Sequence, residues 1–315
     1  MAYKVRLISP EQKEGLFARY EERFHFTRKS EIYGCCIKLL TDNEQLRRTW
    51  EDNFYASSEN LRSHGRVIAL HDPKMAEEVL YEPLTRTAFV FNFTYYGYIK
   101  SVALAVAGDI LEDQHGIHSV HGAALDIDGK GVALIAPSKT GKTTHSWGLL
   151  RDQTARLVTD DWFFVRLSDR KHLAFGSEKN CYVDGNIASI WKEFAPLVDR
   201  AKLDDSERAV VNVRWIVGPT AVVEMTTLHH ILLLKRDRTD ERTVYQMSAE
   251  EALRYLMGND FCNPHQLVRN DRKQGIRTAF FKRLLERTEV HMINTVPPPE
   301  ETQDAIRKIL GMRAQ

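Results

Sequence analysis

The chain has 315 residues, 43% of them hydrophobic, which suffices for a sizeable core in one large or two modest domains. Lys and Arg number 44 against 43 Asp and Glu, a formal charge of +1, so the chain as a whole has no electrostatic pull toward nucleic acid or an anionic membrane. Cys35, Cys36, Cys181 and Cys262 form no Cys-x-x-Cys pair and are too few for a disulfide framework. The start lacks the apolar core of a signal peptide and no stretch is long enough to span a bilayer, so cytoplasmic residence is expected.

Residues 1–97 read as a separate α+β unit. Strands are predicted at 33–39, 66–70 and 87–93, where β-branched and aromatic residues concentrate, and a helix is predicted over 43–54. Gly97 between the aromatic run and the helical spacing of Ile99, Val102, Ala103, Ala107, Ile110 and Leu111 marks a hinge at 95–98, and a second domain is expected over 98–315. Alternation around Asn92 and Thr94 suits a half-buried strand better than a base-stacking platform. His115, His118 and His121 share a three-residue spacing that invites a metal site, but Gly116 interrupts the helix such a site would need.

The most informative segment is Ala136, Pro137, Ser138, Lys139, Thr140, Gly141, Lys142, Thr143 and Thr144. It follows the apolar run 131–135, suited to a buried parallel strand, and leads into a segment with helical potential around Trp147, Leu149 and Leu150. Successive amides at a helix start wrap a phosphate, and the helix dipole favours its charge. Gly141 permits close approach, Lys142 supplies a point charge for the terminal phosphates, and the Thr143 hydroxyl follows where it can ligate Mg²⁺. Ala136 stands where the strict pattern has its first glycine, so the loop would be strained if that position needed a positive φ. Further on, 156–165 reads as a strand interrupted by Asp160 and Asp161. Adjacent strand residues face opposite sides, so the two carboxylates can do different work, one on a metal and one near an acceptor hydroxyl.

A strand carrying His121 and Gly122, then the loop, then Val158, Thr159, Asp160 and Asp161 resembles the catalytic domain of HPr kinase/phosphorylase, a family that shares its nucleotide-binding core with ATP-dependent phosphoenolpyruvate carboxykinase. The resemblance covers roughly residues 99–310. It implies an α/β P-loop kinase core with an N-terminal α+β accessory domain, with ATP and Mg²⁺ as cofactors. Carried over by position, Ser138, Lys139, Thr140, Gly141, Lys142, Thr143 and Thr144 would bind phosphate, and Thr143 and Asp161 would bind metal. Asp160 and Asp161 would share metal binding and general-base work, and His121 would line the transfer site beside Lys142. Hexameric HPr kinases also raise the expectation of a homo-oligomer. The chain departs from that family after the paired aspartates, where it offers Gly176, Ser177, Glu178, Lys179 and Asn180, then Asp184, Gly185 and Asn186, in place of a Glu-x-Arg-Gly signature and a glycine-rich loop. A small-molecule hydroxyl therefore becomes a better expected acceptor than a protein serine. The alternatives are a carboxykinase-like enzyme and a regulatory module that binds ATP without transferring phosphate.

Arg208, Asn212 and Arg214 are candidates for holding anionic groups, and His229 and His230 open an apolar strand. Residues 266–287 form a basic amphipathic stretch that reads as a solvated helix face because Asp271 and Glu286 interrupt the charge. Pro297, Pro298 and Pro299 precede a terminal helix predicted over 300–310.

Overall fold

The computed structural model describes residues 3–169, 171–184, 186–200, 202–203, 208–213 and 218–312. Of the positions singled out above, Gly185 and Arg214 lie outside the described residues. The chain is mixed α/β and divides into two compact units. The first comprises Met1–Ser119, Ser177–Lys179 and Pro264–Lys273, and the second Val120–Gly176, Asn180–Asn263 and Gln274–Gln315. No helix among the described residues is long and apolar enough to cross a membrane.

The first unit runs β1 (Val5–Leu7), α1 (Pro10–Tyr20), β2 (Phe26–Ile32), β3 (Cys35–Thr41), α2 (Glu44–Asn53), β4 (Tyr55–Ala56), β5 (Gly65–Leu70), β6 (Glu78–Glu82), β7 (Thr87–Phe91) and α3 (Tyr96–His115). Its strands form one mixed sheet in the order β1-β6-β7-β5-β3-β2-β4. Both faces of the central strands are largely buried, so they read as nearly continuous apolar runs, interrupted by the half-buried Lys38 in β3 and Arg66 in β5. Leu16 and Phe17 of α1 cover Ile68, Leu70, Phe89 and Phe91 on one face. Helix α3 covers the other so closely that a side chain at Gly65 would meet Val106. The hinge expected at 95–98 is thus the first turn of α3, and α3 stays with the first unit because its apolar surface is spent on β3, β5 and β7. The strand predicted from residue 33 begins at Cys35. Tyr33 and Gly34 both take positive φ, 46° and 77°, as a two-residue hairpin turn requires, and they join β3 to an antiparallel β2 that periodicity did not reveal. Asn43 caps α2 by accepting from the Leu46 amide, which confirms the helix predicted there. Strand β7 stops at Phe91 because Asn92 turns to φ 66°, with its side chain bonded to the backbone of Asp72 and Met75.

The second unit contains β8 (Ile117–Ile127), β9 (Lys130–Ile135), α4 (Lys142–Leu149), β10 (Ala155–Thr159), β11 (Trp162–Arg166), β12 (His172–Phe175) and β13 (Cys181–Asp184). It continues with α5 (Ile187–Ile190), α6 (Ala195–Arg200), β14 (Lys202–Leu203), β15 (Arg208–Val211), β16 (Met225–Lys235), β17 (Val244–Gln246), α7 (Ala249–Gly258), α8 (Asp271–Leu285), whose residues up to Lys273 belong to the first unit, β18 (Glu289–Asn294) and α9 (Pro299–Ile309). Strand β9 lies parallel to β16, and β16 parallel to β18, so the loops after Ile135, Lys235 and Asn294 leave the same edge of the sheet. In open α/β sheets that carboxyl edge is where ligands bind. One core packs α4 and α9 against this sheet through Trp147, Leu149 and Ile306; another packs α7 and α8 against the other face through Leu256, Phe281 and Leu284. The run 156–165 is not one strand. It breaks at Asp160 and Asp161 into β10, antiparallel to β8, and β11, antiparallel to β12.

The basic stretch 266–287 exposes Arg269, Arg272, Lys282, Arg283 and Arg287 as expected of a solvated face, with one exception. Lys273 is buried, with its ammonium 2.7 Å from Asp109, 2.8 Å from Glu112 and 2.8 Å from Asp113 of α3. Burial alone would push its pKa down, but the three carboxylates hold it above the usual lysine value.

Candidate phosphate-binding site

Helix α4 starts on Gly141, and no side chain caps it. The first amides of a helix have no partner within it, so the amides at the start of α4 are presented without a side-chain acceptor, as an anion cradle requires. The left-handed positions of the loop fall on Lys139 at φ 65° and Gly141 at φ 95°. Ala136 is not among the residues with positive φ, so the strain considered for its methyl group does not arise there. A Cβ at Gly141 would stand 3.2 Å from the His145 ring, so glycine serves this position through both its φ and its bulk. Thr140 turns its hydroxyl back onto the Pro137 carbonyl at 2.7 Å, and Ser138 and Lys139 are exposed. Thr143 and Thr144 occupy the first turn of α4, where the Thr144 carbonyl accepts from the Trp191 indole at 2.8 Å.

The side chains around this loop converge. Lys142 Nζ lies 3.4 Å from both His121 Nδ1 and the Ala136 carbonyl oxygen. His121 is buried; its Nε2 is 3.2 Å from Asp161 Oδ1 and its Nδ1 is 2.8 Å from the Cys262 carbonyl oxygen. Asp160 and Asp161 occupy a bend rather than successive strand positions, and they part accordingly. Asp160 is buried and accepts from the Tyr182 amide at 3.3 Å, whereas the Asp161 side chain is 33% exposed.

Electrostatics follow from burial and these neighbours. Burial lowers the Lys142 pKa, while Asp161 and Asp160 work to raise it. Burial also lowers the His121 pKa, helped by Lys142 and opposed by Asp161. Cys262, whose carbonyl holds the His121 ring, has its thiol pushed up to about 12 by burial. That carbonyl is delivered by a local exception: Asp260, Phe261 and Cys262 all take left-handed φ values of 52°, 52° and 55°. Such a conformation costs a non-glycine residue roughly 1–2 kcal/mol, so packing must over-determine it, as Phe261 does by stacking on Phe281 at 5.2 Å.

The histidine triplet does not gather. His118 pairs with Glu112 at 3.7 Å and His121 turns to Asp161. Among the described residues, no group of three or more His, Cys, Asp or Glu side chains is placed to hold a metal unaided. The sequence reading missed His145, on α4 itself, and Cys262, Thr295 and Gln303, which reach the loop region from distant segments. Compared with models of known protein families and with curated protein sequences, the chain matches none.

Proposed function

We propose that this chain is an ATP- and Mg²⁺-dependent kinase with a P-loop core of the HPr kinase/phosphoenolpyruvate carboxykinase type, acting in the cytoplasm on a small-molecule hydroxyl. The observation that carries this reading is the line of contacts from Lys142 to His121 to Asp161. It sets a cation, an imidazole and a half-exposed carboxylate beside the uncapped start of α4. The amides from Ser138 to Thr144 and the Lys142 ammonium bind and orient phosphate oxygens. The side chains fit Mg²⁺, since Thr143 offers a hydroxyl in the first turn of α4 and Asp161 a hard carboxylate oxygen; these two would hold the ion, which when bound neutralises phosphate charge.

Asp161 accepts the proton of the acceptor hydroxyl, and His121 steadies it. Of the ring's partners, the Cys262 carbonyl and the Asp161 carboxylate only accept hydrogen bonds while the Lys142 ammonium only donates, so a neutral ring with its hydrogen on Nε2 donates to Asp161 and turns the Nδ1 lone pair toward Lys142. Asp160, held by the Tyr182 amide, supports the bend. A small acceptor is favoured because Glu178, in the segment that replaces the family signature, is tied into a buried ion pair with Lys100 at 2.9 Å.

The test is incubation with labelled ATP, Mg²⁺ and fractionated metabolites, with Lys142→Ala as control. Transfer to a hydroxyl compound, lost in the variant, supports the kinase. Tight ATP binding with no acceptor across metabolite and protein panels favours a regulatory module, and oxaloacetate-dependent release of carbon dioxide a carboxykinase.

A further inference from the structure

We infer that Thr295 is a positioning residue for the phosphate loop, acting with the contact between Gln303 and His145 as a brace that reaches the loop from the C-terminal segment. The inference rests on the phosphate-binding reading above. Thr295 follows β18, at the carboxyl edge shared with the loop. Its hydroxyl lies 2.9 Å from the Thr140 carbonyl oxygen and 3.2 Å from that of Lys235, and its amide donates to Lys235 at 2.9 Å. A hydroxyl has one hydrogen and both carbonyls only accept, so with the amide already holding the Lys235 carbonyl the hydroxyl hydrogen goes to the nearer Thr140 oxygen, and Thr295 ties the end of β16 to the turn before Gly141.

The second anchor lies beneath the same turn. The space at Gly141 is walled by the His145 ring and by the Thr295 methyl, 3.2 Å and 3.6 Å from where a Cβ would sit. His145 and Gln303 are each 2% exposed, and His145 Nδ1 is 3.2 Å from Gln303 Oε1. The amide oxygen accepts, so Nδ1 carries the hydrogen and the ring orientation is set by α9. Gln303 is seated against Gly148, where a Cβ would stand 2.6 Å from its oxygen, and Arg307 of the same helix reaches Asp152 at 3.3 Å. Pro297, Pro298 and Pro299 join the two anchors, and their fixed φ makes the join stiff.

An anion cradle binds best when its amides are aligned before the ligand arrives, because aligning them afterward costs conformational entropy. The brace holds Thr140 by a hydrogen bond and Gly141 by packing. Three variants test it: Thr295→Val removes the hydroxyl at constant shape, Thr295→Ser keeps it, and Gln303→Met removes the amide. Amide hydrogen exchange of residues 138–144 and calorimetric binding of inorganic tripolyphosphate and ATP are read beside the melting temperature. Thr295→Val and Gln303→Met are expected to speed exchange of the loop amides and weaken tripolyphosphate binding about tenfold, with Thr295→Ser near wild type. Wild-type exchange and affinity in Thr295→Val overturn the proposal, as does a Thr295→Ser variant as impaired as the valine. If wild-type protein binds neither tripolyphosphate nor ATP, the phosphate reading falls, and loop exchange alone decides the brace: faster in Thr295→Val supports it, unchanged overturns it.

Discussion

His121 Nε2 stands 3.2 Å from Asp161 Oδ1 while the opposite ring nitrogen is held at 2.8 Å by the Cys262 carbonyl, so the ring is pinned between two acceptors. On the kinase reading proposed above, Asp161, the more exposed member of the acidic pair, is the carboxylate that takes the proton. Asp161→Asn is expected to lower phosphoryl transfer at least about a hundredfold while leaving metal-free ATP binding within a few fold. Asp160→Asn acts on stability, costing about 1 kcal/mol as the Tyr182 amide loses its charged acceptor. Initial rates and denaturant midpoints separate the two; full turnover in Asp161→Asn removes that residue from the reaction.

Lys142 carries its charge into a site where burial disfavours it. Lys142→Met is therefore expected to melt no lower than the wild type while its ATP affinity falls at least about tenfold. A lower melting temperature with unchanged affinity would make the lysine a structural residue.

His145 has its pKa lowered to about 4 by burial. Its unfolded value is near 6.5, so between those values the unfolded chain binds a proton that the folded chain refuses, and stability falls as pH drops from about 6.5 to 4. This histidine accounts for at most about 3 kcal/mol of that loss. His145→Asn should flatten this part of the stability profile in urea titrations; equal slopes in variant and wild type would contradict the burial assigned to the ring.

In the first unit, Lys100 and Glu178 form a buried pair at 2.9 Å, and Asn53 also donates to Glu178 at 3.1 Å. Removing one partner leaves an uncompensated charge, so Lys100→Met alone should cost about 3–5 kcal/mol, and Lys100→Met combined with Glu178→Gln markedly less. Additive losses in chemical denaturation would show that the charges do not act as a pair.

The loop was legible because its signal is contiguous: an apolar strand, a glycine and a lysine before a helix are neighbours in the chain, and β9 and α4 fall where they were expected. The first-unit helix with Asn43 at its start was legible for the same reason. The interruption at Asp160 and Asp161 was visible but not that it is a corner between two strands, because only the separate pairing of β10 with β8 and β11 with β12 shows it. Lys273 looked solvated because the carboxylates that bury it lie on α3.

Local chemistry thus announced a glycine-lysine turn between a strand and a helix, a paired acid and an α/β chain, since dihedral preference, periodicity and capping act over a few residues. Long-range packing chose which carboxylate faces outward, which carbonyl grips His121, and which threonine reaches Thr140. Those choices depend on the register of parallel strands and on helices packed from distant segments, and no short-range preference encodes a contact between residues so far apart in the chain.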